Sequence, residues 1–446
     1  MKQFRYTYQL LTALTLITWL GGCTQDDSIL APGGEEPDKC KTTLVLKMDT
    51  PATSTKANAT TLSGTDKESA LNRLDLFIAQ NGKLVKTYSK AGSNLQSPVV
   101  FILESNDITA ADIYVAANMT QAQADAITAN DLNPAIGITD IAETTGAGGF
   151  LMTGKVTGKV TIEKEKITTA SITLDRVVSK ILLTCDTKDG NGNYVNLADN
   201  RNGYIKLSDV HYELANTNRK LYPFAKESNE DPNYAVNEGL LGNLPHNFFT
   251  GNAVTPSSKA AVKYVASKVD MNDENRYTDG LYCLENTVNM ADFTSTYESS
   301  LSIARQVGTY VKISARFTPA FIDNFENLSE DEAQAKLSDG TFYTYKKAAE
   351  GKKHICYSSL ETGMHCNEGS REEDFTEYAG GRLTYETFVA SPSGFNAESN
   401  LKRNNYYIMH ITSMTAPIRE KTIEVNTIVA GWTRKGTTVI DIETHN

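Results

Sequence analysis

Two histidine and cysteine pairs late in the chain, His354 with Cys356 and His365 with Cys366, carry the most chemically versatile side chains of the sequence. Imidazole and thiolate are zinc ligands, but the C-x2-C spacing of a structural zinc site is missing, and an oxidising compartment competes for the thiols. Cys356 and Cys366 are read first as a disulfide closing a short loop, or as two free thiols; spacing alone does not show that their Cβ atoms meet. The other candidates are weaker. No G-x-S-x-G elbow is present, and Thr153-Gly154-Lys155-Val156 lacks the upstream glycine and the Ser/Thr of a phosphate loop. Asp292-Phe293-Thr294-Ser295-Thr296 reads as a solvated turn, and His211, His246, His410 and His445 are scattered. No nucleophile can be matched to a base, so the chain reads as a non-enzyme, with no catalytic residue, metal or cofactor.

A different reactive cysteine stands near the start. Lys2 and Arg5 give a positive n-region, residues 10–20 an apolar core too short to span a bilayer, and Leu20-Gly21-Gly22 leads into Cys23. This pattern resembles the bacterial lipobox, in which the thiol is acylated and becomes the mature N-terminus. Residues 1–22 are therefore expected to be a lipoprotein signal peptide, with Cys23 the lipidation site and the membrane a partner of the precursor. Residues 24–41 are rich in acidic side chains, glycine and proline, and form a tether. Asp26 and Asp27, just after the cysteine, resemble the acidic export signal of surface lipoproteins in Bacteroidetes-type bacteria. Five further cysteines remain, an odd number; if Cys40 leaves with a removed segment, Cys185 and Cys283 can form a long-range pair beside Cys356 and Cys366.

The 446 residues allow two or three domains, and a net charge of −11 with 40% hydrophobic content describes a soluble globular protein without the basic surface that nucleic acid requires. Leu44, Leu46 and Met48 alternate with Val45, Lys47 and Asp49 as a strand with one apolar face, followed by Pro51 and a long polar run containing Lys56. Such runs are preferred sites of proteolysis. Strands are expected at 72–79, 83–88, 98–103, 111–117, 148–156, 159–164 and 171–186, with Asn81-Gly82 a hairpin turn and Thr120/Gln123 capping a short helix. Residues 189–193, Asp-Gly-Asn-Gly-Asn, mark the best domain boundary. Beyond it, strands are expected at 204–214, 310–318, 406–413, 423–432 and 438–442, a helix at 329–337 behind a Ser329/Glu332 box, and an irregular stretch at 225–300. Arg434-Lys435-Gly436 makes a turn, and the apolar strand after it has no successor to cover its edge, a hazard that proteins usually keep only for use. The fold class is mainly β, in two sandwich domains with a few short helices.

An ordered set of short segments then resembles the fimbrillins, subunits of the type V pili of Bacteroidetes-type bacteria. Leu71-Asn72-Arg73-Leu74-Asp75-Leu76-Phe77-Ile78 is similar to the family's first mature strand. Gly149-Phe150-Leu151-Met152-Thr153-Gly154 resembles its P-M-S/T-G turn, with Phe-Leu where proline is common. Leu174-Asp175-Arg176-Val177-Val178-Ser179-Lys180-Ile181 resembles its arginine-containing strand, and Tyr406-Tyr407-Ile408 with residues 423–432 its C-terminal strands.

The resemblance implies two tandem transthyretin-like β-sandwich domains, here 57–188 and 189–446, behind a tether and removable strand at 23–56. It implies that a protease of trypsin-like specificity cuts between Lys56 and Ala57, where the family usually has arginine. The strand bearing Leu44, Leu46 and Met48 then departs, and the C-terminal strand of the next subunit fills its place. Ile423, Val425, Val429 and Trp432, with Val439, Ile440 and Ile442 after the turn, are the donor candidates. The implied partners are the major fimbrillin, accessory and tip subunits, and a host or bacterial receptor; the implied location is a cell-surface fimbrium whose precursor is lipid-anchored in the outer membrane. The polar Thr437, Thr438 and Asp441 and the irregular 225–300 stretch point to an accessory or tip-proximal subunit of short fimbriae that aids adhesion and virulence. The alternatives are an outer-membrane anchor subunit that keeps its lipid, and a monomeric surface lipoprotein that binds a glycan or host protein.

Overall fold

The computed structural model describes residues 41–49, 61–93, 95–104, 106–146, 148–188, 193–198, 203–228, 230–232, 260–261, 263–264, 280–287, 308–347, 356–389, 400–415 and 423–433. The chain is mainly β. It begins with β1 (Thr43–Asp49) and β2 (Thr61–Ser63), then a short helix, α1 (Asp66–Ser69). β3 (Arg73–Gln80) and β4 (Lys83–Ala91) form the expected hairpin. Asn81 and Gly82 both take positive φ, 51° and 76°, as a type I′ turn requires. β5 (Val99–Ile102) and β6 (Ile108–Ala117) follow, then α2 (Gln121–Ala126), where Thr120 and Gln123 cap reciprocally as their spacing predicts. The first half closes with β7 (Ile136–Gly137), α3 (Ala142–Thr145), β8 (Met152–Lys155), β9 (Val160–Ile162), β10 (Ile167–Thr173) and β11 (Asp175–Arg176).

Two sheets make the first sandwich. One has the order β11-β8-β6-β3-β4 with β9 also on β6; the other is β10-β1-β5. Between them lie Leu44, Leu46, Met48, Leu74, Leu76, Ile78, Phe101, Ile113, Val115 and Ile172. β3 departs from the alternation read in the sequence, because Phe77 and Asp75 on its opposite face are buried as well. That face belongs to a second core, in which the Phe77 and Phe224 rings meet edge to face at 5.9 Å. The larger β3 sheet is thus covered on both sides.

β12 (Val178–Cys185) is buried along its whole length. Its sheet, β17-β12-β24-β25-β2 with β18 also on β12, is the second half's, so the change of sheet falls near residues 174–177. This is one strand before the glycine-rich breaker at 189–193 that the sequence suggests. The remaining elements run β13 (Gly203–Ile205), β14 (His211–Ala215), β15 (Lys220–Leu221), β16 (Ala260–Ala261), β17 (Lys263–Tyr264), β18 (Leu281–Leu284) and β19 (Tyr310–Pro319). Next come α4 (Glu330–Lys336), β20 (Phe342–Tyr345), β21 (Cys356–Tyr357), α5 (Leu360–Cys366), β22 (Phe375–Tyr378), β23 (Arg382–Phe388), β24 (Asn405–Met414) and β25 (Ile423–Thr433). β13, β19, β14 and β16, with β23 on β19, face the β12 sheet across the second core.

β19 keeps the alternation read from the sequence: Val311, Ile313, Ala315 and Phe317 are buried, and Arg316 is exposed. The strand expected at 204–214 is instead two strands separated by a single 3-10 turn at Leu207–Asp209, which buries Leu207. Within the stretch read as irregular, β18 pairs antiparallel with β12 and buries Cys283 and Leu284.

Candidate assembly site

β1 is the element on which the first sandwich closes. It runs parallel to β10 over seven register pairs, from Thr43 opposite Ile167 to Asp49 opposite Thr173, and antiparallel to β5 over four, from Thr43 opposite Ile102 to Leu46 opposite Val99. Both ends are fastened. The Leu103 amide donates to the Thr42 carbonyl at 2.9 Å, the Glu165 amide to Thr42 Oγ1 at 2.8 Å, and the Met48 amide to Ser97 Oγ at 2.9 Å.

Leu44, Leu46 and Met48 point inward and are buried, as the period-2 pattern demands. Burial of side chains of this size is worth about 1.5–3 kcal/mol each, so the three together contribute roughly 5–9 kcal/mol. Without β1, an apolar channel would open between two strands whose facing backbone groups have lost their partners, a ready acceptor for another extended segment. The outer face of the same sheet carries Val45, with Val100, Ile102 and Ile167 exposed beside it.

β25, which carries the donor candidates Ile423, Val425, Val429 and Trp432, is not a free strand. It pairs antiparallel with β24 from Asn405 opposite Gly431 to Met414 opposite Ile423, and β2 lies parallel on its other edge. These four residues are therefore corrected to members of the chain's own sheet: the β24 ladder already supplies their backbone partners. Val439, Ile440 and Ile442, with Cys23, Lys56 and Ala57, lie outside the described residues.

The expected disulfide between Cys356 and Cys366 is absent, and both are free, as are Cys185 and Cys283. Cys356 sits on β21 with its side chain in the core, whereas α5 carries Cys366 out to solvent at its C-terminal end. Burial pushes the Cys185 and Cys356 thiols up to about 12 and raises that of Cys283 as well, so these three are inert packing groups. His354 and residues 292–296 lie outside the described residues, and no group of three metal-ligating side chains occurs among the described ones. His410 is structural: Nδ1 lies 2.8 Å from Thr184 Oγ1 and Nε2 3.1 Å from Asp186.

A buried ionic cluster escaped the sequence reading. Glu68, 2% exposed, receives Lys180 Nζ at 2.8 Å and Tyr282 Oη at 2.5 Å on Oε1, and the Thr65 amide at 2.6 Å on Oε2. Arg176, fully buried, donates through Nε to the Glu68 carbonyl at 2.9 Å. Its amide donates at 3.2 Å to Asn404 Oδ1, and Asn404 Nδ2 reaches Asp175 at 2.9 Å. Arg403 forms a buried pair with Glu285 and donates to the Tyr222 and Pro223 carbonyls at 2.8 and 2.9 Å. The cluster ties α1, β11, β12, β18 and the start of β24 together where the two sandwiches join. Thr65 and Glu68 do have capping-box spacing in the sequence, but only the fold brings Lys180 and Tyr282 to the carboxylate.

Burial raises the Glu68 pKa, and the Lys180 charge with the hydrogen bonds from Lys180, Tyr282 and Thr65 more than offsets this, leaving it below the ordinary 4.5. A depressed carboxylate contributes stability that is present above about pH 4.5 and is lost as pH falls through its folded value. Lys180→Met, which leaves the carboxylate buried without its cation, is expected to destabilise by about 3–5 kcal/mol in chemical denaturation. The double variant Lys180→Met/Glu68→Gln is expected to recover part of that loss and to lose the acid-range dependence.

Residues 42–204 match the family model described as Major fimbrial subunit protein (FimA). No curated protein matches the chain. Among solved structures, the fimbrilin FimA from Porphyromonas gingivalis W83 is similar at 13% identity, over 88% of this chain and 98% of that one, with a TM-score of 0.42. The tip fimbrial protein Mfa3 from Porphyromonas gingivalis, C-terminally truncated, is similar at 14% identity, over 87% and 100% of the respective chains, with a TM-score of 0.41.

Proposed function

We infer that this chain, whose residues 42–204 match the family model described as Major fimbrial subunit protein (FimA), is a fimbrial subunit matured by removal of β1 and joined to its neighbours by strand donation. A fimbrial subunit acts at the cell surface by assembling with other subunits, and the chain is not an enzyme. The rest is our reading. Cys23 receives the lipid that holds the precursor at the outer membrane, and residues 1–22 leave as the signal peptide. A trypsin-like protease then cuts after Lys56, and the C-terminal segment of another subunit enters the channel that β1 vacates.

The observation that carries this reading is the setting of β1. Three of its side chains are buried in the core, strands flank it on both sides, and Lys56 lies in the sequence between it and β2. Donation from one subunit into the next is a heterologous contact that does not close on itself, so it yields a filament. We read the polar Thr437, Thr438 and Asp441 as marks of an accessory, tip-proximal subunit that aids adhesion.

The N-terminus of material sheared from the cell surface tests the proposal. Mature chains are expected to start at Ala57. Surface chains that begin with lipidated Cys23 would instead mean an anchor subunit or a monomeric lipoprotein, and would remove the polymer reading.

A further inference from the structure

We propose that β2, pegged in place by Glu68, guards the outer edge of β25 and thereby stops the chain's own C-terminal segment from folding back on it. This rests on the reading of residues 437–442 as a donor. β25 has β24 on one edge and β2 on the other. β2 holds three positions of that second edge: Thr61 faces Gly431, Leu62 faces Trp432 and Ser63 faces Thr433.

The residues that follow Thr433 are Arg434-Lys435-Gly436, then Thr437-Thr438-Val439. Three residues ending in glycine suit a three-residue hairpin loop, whose last position takes positive φ. Such a hairpin would set Thr437, Thr438 and Val439 opposite Thr433, Trp432 and Gly431. These are the same positions that β2 occupies, and one edge accepts one strand. A local hairpin also has a large entropic advantage over pairing with a separate molecule. An unguarded β25 edge would therefore capture its own donor.

Three residues of strand are a weak clasp, and the next turn of chain supplies the hold. Thr65 and Glu68 cap α1 reciprocally, and the Glu68 carboxylate is seated on Lys180 of β12 and Tyr282 of β18. Both partners belong to the sheet that contains β25. Arg176 secures the Glu68 carbonyl from the neighbouring strand. β1 and β2 stand in different sheets on either side of residues 50–60. A cut after Lys56 consequently frees β1 and leaves β2 attached to the mature chain.

Hydrogen exchange on the full-length chain tests this. In the wild type, amides of residues 61–63 should be protected and those of 437–442 should exchange freely. Leu62→Pro, which removes a β2 amide, and Glu68→Ala, which removes the peg, should each expose 61–63 and give 437–442 about tenfold or greater protection, with slow exchange in β6 and β19 showing an intact fold. Lys435→Pro/Gly436→Pro in the Leu62→Pro background should abolish that protection by forbidding the hairpin. Protection of 437–442 in the wild type, or free exchange there in a variant that has released 61–63, overturns the proposal. Undiminished protection of 61–63 in the Leu62→Pro/Glu68→Ala double variant overturns it too. A chain that lacks residues 437–446 and still polymerises would refute the donor reading instead, and would leave the pairing of β2 on β25 untouched.

Discussion

A disulfide between Val45→Cys and Val100→Cys is expected to abolish filament assembly while leaving secretion and proteolytic cleavage intact, and a reductant is expected to restore assembly. The two positions are register partners on the antiparallel β1–β5 pair, and both side chains are on the solvent side of the sheet, clear of the core. Cleavage after Lys56 would then cut the chain without releasing the strand. A tethered segment competes for its groove at an effective concentration on the order of mM, so a donor at micromolar concentration loses by about a thousandfold. Assembly by sedimentation or negative-stain microscopy, with and without reductant, reads the result. Normal filaments under oxidising conditions, with the crosslink verified, would show that β1 need not leave.

The second large effect concerns the donor. Residues 438, 440 and 442 share one face of an extended strand, and 437, 439 and 441 share the other. The first face reads Thr438, Ile440, Ile442 and the second Thr437, Val439, Asp441, so Ile440 and Ile442 are the pair that can take the places of β1's inward side chains. Ile440→Asp/Ile442→Asp would set two carboxylates in an apolar channel lined by Leu74, Leu76, Ile113 and Val115. Burying even one unpaired charge there costs several kcal/mol, so incorporation is expected to fall by at least about a hundredfold while the monomer stays folded. Val439→Asp, on the opposite face, should do far less. Co-assembly with wild-type subunits distinguishes a lost donor from a lost acceptor, since the altered chain should still cap a growing end through its own groove. Equal loss from the Val439 and Ile440/Ile442 changes would count against a donor strand with an inward face.

Local patterns carried the sequence reading where one segment decides its own conformation. Asn81-Gly82 specifies a turn by φ alone, Thr120/Gln123 and Ser329/Glu332 specify helix starts by hydrogen bonds three residues apart, and β19 alternates because one face is wet. The same patterns located Leu44, Leu46 and Met48 and their inward face. What escaped was set by distant partners. The glycine-rich run at 189–193 reads as a break in the sequence, yet β12 before it joins β24 more than two hundred residues away. β18 has only four residues and no periodic signal of its own; β12 gives it its place. Cys356 and Cys366 are ten residues apart in sequence, but a strand and a helix send them to opposite environments. Residues 423–432 looked like a terminal strand available to others because nothing local reveals that β24 already pairs with it.

The direction of β1 has a consequence for reversibility. Its longer ladder, seven residues with β10, is parallel, and its shorter one, four residues with β5, is antiparallel. Parallel pairing is slightly less stable per residue, with slanted hydrogen bonds. A strand that entered with the opposite sense would make the longer ladder antiparallel and leave only the shorter one parallel. The resident strand is thus seated in the weaker of two available polarities. A replacement that reverses it would gain along the seven-residue ladder and lose along the four-residue one, a small net bias toward the incoming strand once cleavage has released β1.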